Sequence, residues 1–289
     1  MRIVATCTTL PDRYDGLYKT LLTLHDQTIP FDAIYLTLPK VAKRLNKVYP
    51  NIPKHINDLC TVVPIEEDYG PVCKIVGALL REKDPNTLII TVDDDCIYSN
   101  DLVEKLLSKH TLYPNACITS TGVLIGCGVA TFGIRSTLKY MLPYNGITGF
   151  QIPVNGRKVD IVQGFSGVLY KRCFFPKKLN KLLKYTTNVH IFKNDDILIS
   201  GYLSKKGIKI YTFNNMSLCE QHPTNDALSC DMIKMYQVFN NALYKCREHG
   251  MFPSFEQVYL GETCVVKTAL FIILIILFVI LLIYYIYKF

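Results

Sequence analysis

The chain has 289 residues, 49% of them hydrophobic and 19% charged, with no Trp and a formal net charge of +8. That apolar fraction is ample for a core and excludes a disordered or fibrous chain, and the basic charge comes without the aromatic-basic platform of a nucleic-acid binder. Its 11 cysteines form no CxxC pairs and no small secreted scaffold, so most are expected as free, buried thiols.

In chain order, the apolar runs 2–8, 33–38, 59–65 and 87–92 read as buried strands, and residues 16–27 and 73–82 space their apolar side chains as helices do. This alternation predicts an α/β fold with a mostly parallel sheet covered by helices, in which ligands bind beyond the carboxyl ends of the strands. Residues 116–134 read as strands around a turn, 144–158 as a loop or lid, and 159–172 as strand, glycine turn, strand. Helices are expected near 174–184 and 195–205, a strand at 208–213, a helix at 227–245 and a linker over 246–266. From Ala269 to Tyr287 there is no charge, Pro or Gly. About 19 such residues at ~1.5 Å each cover the roughly 30 Å hydrocarbon layer, so a transmembrane helix is expected over 267–287 with Lys267 and Lys288 at its ends.

The strand at 87–92 breaks into Asp93, Asp94 and Asp95. One reading is a helix start, since Leu102, Val103, Leu106 and Leu107 announce a helix beyond; yet a cap takes one carboxylate, and Asn100 and Asp101 sit closer. The other is a divalent-metal site. Mg²⁺ or Mn²⁺ is held by one or two carboxylates plus substrate phosphate oxygens, and alternate side chains of an extended segment share a face, which pairs Asp93 with Asp95. Other segments leave similar choices. In "EEDYGPVCK" (66–74), Gly70 and Pro71 turn into a helix with Lys74 one turn in, either an ordinary turn with a surface lysine or part of a site. In "TTLPDR" (8–13), Thr8, Thr9 and Arg13 end the first strand, where a helix cap is equally natural. "GFSG" (164–167) lets backbone approach a ligand closely, or makes a hairpin turn. Asp195 and Asp196 in "NDDIL" open a helix as caps or as chemistry, and His222 follows the last strand.

In this order the segments resemble the GT-A glycosyltransferases, most closely the DxD-containing, family 2-like glycosyltransferases of large DNA viruses and small cellular forms. The resemblance covers roughly residues 1–245. It implies a Rossmann-like sheet that binds a nucleotide-diphosphate sugar, with Mn²⁺ or Mg²⁺ on Asp95 and Asp93 and a third ligand at His222. It further implies Thr8, Thr9, Arg13, Asp68, Lys74, Asp93, Asp94, Gly164 and Gly167 at the nucleotide sugar. Asp196 would remove the acceptor hydroxyl's proton and Asp195 would bind the acceptor. The chain departs from the family in two ways. Trp is absent beside the acidic pair, leaving Phe165, Phe192 or Tyr202 to stack on the acceptor, and the anchor lies C-terminal rather than N-terminal as in Golgi-type enzymes.

The expectation is a metal-dependent glycosyltransferase domain (1–245) that passes sugar from a nucleotide-diphosphate donor to a glycan, protein or lipid acceptor. It would be tail-anchored in a membrane and face the cytosol, because the early apolar run is too short for a secretory signal. The basic runs 40–47 and 171–184 read as solvated helix faces, or as faces toward anionic lipid or a phosphorylated substrate. From a different class, the alternative is a non-catalytic membrane-anchored binding or scaffold protein on the same sheet. A phosphoryl or nucleotidyl transferase would want a phosphate-cradling glycine loop, which the sequence lacks.

Overall fold

The computed structural model describes residues 1–123, 125–129, 143–147, 157–212, 219–221 and 232–253. The chain opens with β1 (Ile3–Thr8), α1 (Tyr14–His25) and β2 (Ala33–Pro39), then a small antiparallel pair, β3 (Val41–Ala42) with β4 (Lys47–Val48). Next come α2 (Lys54–Asn57), β5 (Thr61–Ile65), α3 (Cys73–Arg81), β6 (Leu88–Thr91), β7 (Cys96–Tyr98) and α4 (Leu102–Leu112). The middle holds β8 (Cys117–Thr119), β9 (Gly122–Val123), β10 (Ile125–Val129), β11 (Pro143–Ile147), β12 (Arg157–Val159), β13 (Ile161–Val162) and β14 (Val168–Lys171). After it run the short helices α5 (Asn180–Leu183) and α6 (Val189–Phe192), then α7 (Asp195–Lys205), β15 (Ile210–Thr212), β16 (Cys219–Gln221) and α8 (Met232–Glu248).

The main sheet has 8 strands in the order β12-β15-β8-β14-β6-β1-β2-β5. β5, β2, β1, β6, β8 and β15 run one way; β14 and β12 run against them. The protein is therefore mixed α/β with a mostly parallel sheet and flanking helices. Both faces of the sheet are buried, which is why its strands read as continuous apolar runs. Period-2 alternation divides them: Val4 and Ile89 enter one core with Ile75, Leu79 and Leu198, while Ile3, Ala5, Leu88 and Ile90 enter the other with Leu17, Leu21 and Leu102.

Several elements differ from the sequence reading. The expected loop over 144–158 begins as a strand, since β11 pairs antiparallel with β10, and ends as β12 at the sheet edge. The expected helix near 174–184 is broken into short turns, with Asn188 starting α6 anew by accepting hydrogen bonds from the N–H groups of His190 (3.0 Å) and Ile191 (3.3 Å). α8 runs past the expected linker start at 246, and Cys246, Met251 and Phe252 are buried, the last two closing over Gly201. Among the described residues no helix is long and apolar enough to cross a membrane. The expected span at 267–287 lies outside the described residues.

Candidate functional site

The order of the central strands creates a crevice. From β1 the chain moves to β2 and β5 on one side, then returns to β6 on the other side of β1. Such a reversal leaves space beyond the carboxyl ends of the two strands, where open α/β sheets bind ligands. Thr8 and Thr9 stand at the end of β1, and Asp93, Asp94 and Asp95 follow the end of β6. α1, α3 and α7 also begin here: Arg13 precedes α1, Lys74 is the second residue of α3, and Asp195 and Asp196 open α7. The partial positive charge of three helix N-termini thus faces one region.

The aspartate triplet is a turn between β6 and β7, well before α4, so the helix-start reading falls. Asp94 is buried; its carboxylate accepts from the Thr9 hydroxyl (2.5 Å) and meets Arg13 Nη1 (3.3 Å). Asp93 and Asp95 on either side keep part of their surface exposed. Arg13 also reaches Asp95 Oδ2 at 3.6 Å. Behind the turn, the Thr20 hydroxyl of α1 lies 3.1 Å from the Asp94 carbonyl and 2.8 Å from that of Cys96. The Tyr98 hydroxyl accepts from the Asp93 N–H (2.9 Å) and donates to the Phe165 carbonyl (2.8 Å), tying the triplet to the "GFSG" turn.

Lys74 joins the two acidic motifs. Its side chain is only 8% exposed, and its ammonium pairs with Asp93 and with Asp195 Oδ2, the latter at 2.9 Å. It is not a surface lysine. Asp196, one residue on, accepts from the Gly164 N–H through both oxygens, at 3.1 and 3.0 Å. A Cβ on Gly164 would stand 2.8 Å from Asp196 Oδ1 and 3.1 Å from Lys74 Nζ, so only glycine lets these three groups meet. Asn194, not either aspartate, holds the cap position of α7; Asp195 and Asp196 follow in its first turn and turn to Lys74 and the Gly164 N–H instead. The "EEDYGP" turn joins from below: Gly70 (φ +77°) packs against the Phe192 carbonyl, leaving no room for a Cβ.

Carboxylates outnumber cations in this cluster. Burial pushes the Asp196 carboxyl up to about 8, and neighbouring Asp195 adds to it, against the pull of Lys74. Burial likewise raises Asp94 to about 6, offset by Arg13 and Thr9, and raises Asp95, to which the charge of Asp93 adds. For Lys74 burial acts downward, but the charges of Asp195, Asp93 and Asp196 outweigh it and hold the ammonium well above its ordinary value. The lysine therefore stays charged, and the surplus is negative.

Some expected site residues serve elsewhere. Asp68 is buried with both oxygens on backbone, accepting from the Lys43 N–H (2.7 Å) and the Gly70 N–H (2.7 Å), which braces the turn before α3. The Thr8 hydroxyl donates to the Thr37 carbonyl (2.8 Å), and Gly167 faces Leu102. Tyr202 lies in the core at the far end of α7, with its ring 6.5 Å from that of Phe175, so it is not placed to stack on an acceptor here. His222 lies outside the described residues; the strand before it ends at Gln221, opposite Cys96. Sequence reasoning missed Tyr98, Thr20 and Tyr49, whose hydroxyl holds the Thr9 carbonyl at 2.8 Å. No spacing rule marks them, because their partners are distant in sequence.

No protein-family model and no curated protein matches this sequence. Among solved structures, the fold is similar to the crystal structure of Francisella tularensis 2-C-methyl-D-erythritol 4-phosphate cytidylyltransferase, at 15% identity and a TM-score of 0.42, over 78% of this chain and 94% of that chain. A likeness of that grade identifies no family.

Proposed function

We propose that the protein is a metal-dependent glycosyltransferase using a nucleotide-diphosphate sugar as donor and a glycan, protein or lipid as acceptor. One observation carries the reading: the acidic pair that opens α7 and the triplet that ends β6, from opposite halves of the chain, meet around the buried Lys74 at the carboxyl ends of the strands. Among the described residues no group of three or more His, Cys, Asp or Glu side chains stands ready to hold a metal alone. The donor set nonetheless fits Mn²⁺ or Mg²⁺, which take one or two carboxylates and complete their shell with substrate phosphate and water. Asp95 and Asp93 are the half-buried edge of a cluster in which carboxylates outnumber cations, so they would hold the ion, with His222 a third candidate. When bound, the ion would neutralise the diphosphate as it leaves.

The chain's own residues supply the rest. Asp196 takes the proton of the acceptor hydroxyl as that oxygen bonds to the anomeric carbon and the bond from that carbon to the diphosphate breaks. The Gly164 N–H keeps the Asp196 carboxylate in one orientation, and Lys74 fixes Asp195 and Asp93 on either side of it. Arg13 and Thr9 set the triplet by holding Asp94.

The test is a screen of nucleotide sugars for thermal stabilisation of the detergent-solubilised full chain, with and without Mn²⁺. A donor at a hundred times its Kd adds about 2.7 kcal/mol, or roughly 5–10 °C in a chain of this size. Asp95→Asn should abolish that shift and the activity while the fold remains. A donor shift that survives in EDTA would sink the metal assignment, and a screen without any shift would leave a non-catalytic binding protein as the better description.

The same reading places the domain on the cytosolic side of a membrane, anchored through the apolar segment Ala269–Tyr287. Cys7, Cys60, Cys73, Cys96, Cys117, Cys246 and the exposed Cys173 are free thiols, as a reducing compartment allows. Protease added to intact microsomes should digest the folded domain; protection until detergent is added would show the orientation to be reversed.

A further inference from the structure

The two basic runs of the sequence have different fates in the fold. In the first, the lysines find acids: Lys40 pairs with Glu66 (2.5 Å), Lys43 with Glu67 (2.9 Å) and Lys47 with Asp12 (2.5 Å). In the second, Lys177, Lys178, Lys181 and Lys184 are exposed, and among the described residues none pairs with a carboxylate. Lys205 and Lys206, at the end of α7, are exposed and likewise without an acid. The nearby Glu248 is taken by Lys245 at 2.7 Å.

Ring contacts and a hydrogen bond join Lys184, Lys205 and Lys206 to the segment 175–185, and Lys177, Lys178 and Lys181 are exposed within that segment. Phe175 stacks toward Tyr202, and Lys206 Nζ lies 5.9 Å from that tyrosine's ring. At the other end of the segment Lys184 Nζ sits 5.0 Å from the Tyr185 ring, and that ring lies 4.9 Å from the ring of His249. Lys205 Nζ donates to the His249 carbonyl at 2.7 Å. His249, which both ends of the face contact, lies four residues before the described chain ends at Pro253. From there, residues 254–268 lead to the apolar segment. Fifteen residues reach at most about 50 Å when fully extended, so an anchored segment keeps this end of the domain near the bilayer.

We propose that this face docks on the anionic lipid surface of the membrane that holds the apolar segment. The proposal rests on the membrane-anchor reading above. An anionic leaflet attracts juxtamembrane lysines within a Debye length of its surface, and six uncompensated ammonium groups beside the tether match it in charge and place. The docked face lies at the carboxyl end of α7, whereas Asp195 and Asp196 lie at its start, roughly 16 Å away. Docking thus leaves the acidic site clear of the bilayer.

The experiment uses the full chain reconstituted in vesicles of phosphatidylcholine alone or enriched in phosphatidylserine. Rates of lysine acetylation are read residue by residue by peptide mass spectrometry. On anionic vesicles Lys177, Lys181, Lys184 and Lys205 should react about threefold or more slowly than on neutral ones, with Lys40 and Lys43 unchanged, and the difference should vanish in about 1 M salt. In a Lys177→Gln, Lys178→Gln, Lys181→Gln, Lys184→Gln variant, Lys205 should lose its protection. Equal rates on both vesicle types, or undiminished protection of Lys205 in that variant, would overturn the docking face while leaving the anchor intact. Failure of the chain to float with neutral vesicles would instead remove the anchor, and the proposal with it. Equal protection by duplex RNA without vesicles would reassign the face to nucleic acid.

Discussion

Asp196→Asn is expected to lower turnover by on the order of 10²-fold or more, with donor affinity nearly unchanged. The reason lies in where Asp196 sits. It accepts from the Gly164 N–H and keeps part of its surface open, but among the described residues makes no ion pair of its own, as Asp195 does with Lys74. Asn retains the acceptor oxygen toward Gly164, so geometry survives and only the proton-accepting power is lost. The pH dependence has a definite sign. With the carboxyl pushed up to about 8 by burial and by Asp195, the base form is the minority at neutral pH, so turnover should rise as pH rises toward about 8. Stability runs the other way. A carboxyl raised from an unfolded value of about 3.9 contributes stability that is present below that value and lost as pH climbs toward about 8. The metal-free Asn variant should therefore melt higher than the parent protein near pH 8, with a shallower loss of stability between those limits. Unchanged turnover would retire Asp196 as the base and make a retaining mechanism the better description.

Lys74→Met is expected to cost about 3–5 kcal/mol of stability, because it leaves the buried Asp195, with Asp93 beside it, without a counter-charge. At roughly 2–4 °C per kcal/mol, melting should fall by about 6–20 °C. A surface lysine would cost within about 0.5 kcal/mol, so calorimetry separates the two cases. The double variant Lys74→Met, Asp195→Asn should recover much of the loss, since it removes the stranded charge with its partner. Full stability in the single variant would show that the cluster needs no central cation.

How far the sequence reaches is clearest at particular residues. Strands at 3–8 and 88–91 and helices α1 and α3 were legible, because apolar periodicity is a local property that burial on both faces of a sheet enforces. The aspartate triplet could be placed at a strand end for the same reason: the apolar run stops at Val92. Local pattern misled where short-range preferences were balanced. The stretch at 174–184 has helical spacing but yields to turns and to the Asn188 cap, and within the expected linker Cys246, Met251 and Phe252 pack in the core, the last two because Gly201 leaves them space.

What the sequence by itself determined, then, is the central strands with α1 and α3, the acidic motifs at the element ends, and an apolar segment of membrane-spanning length. Tertiary structure alone decided which charges meet. Lys74 is 19 residues from Asp93 and far from Asp195 along the chain, and no spacing rule links them; they meet because α3 and α7 both begin at the crevice beside β1 and β6. The same closure turns Asp94 inward onto Thr9 and Arg13 and leaves Asp93 and Asp95 outward. Periodicity is fixed by hydrogen bonds between near neighbours, whereas a buried ion pair forms only where strand order brings two distant segments into one low-dielectric space.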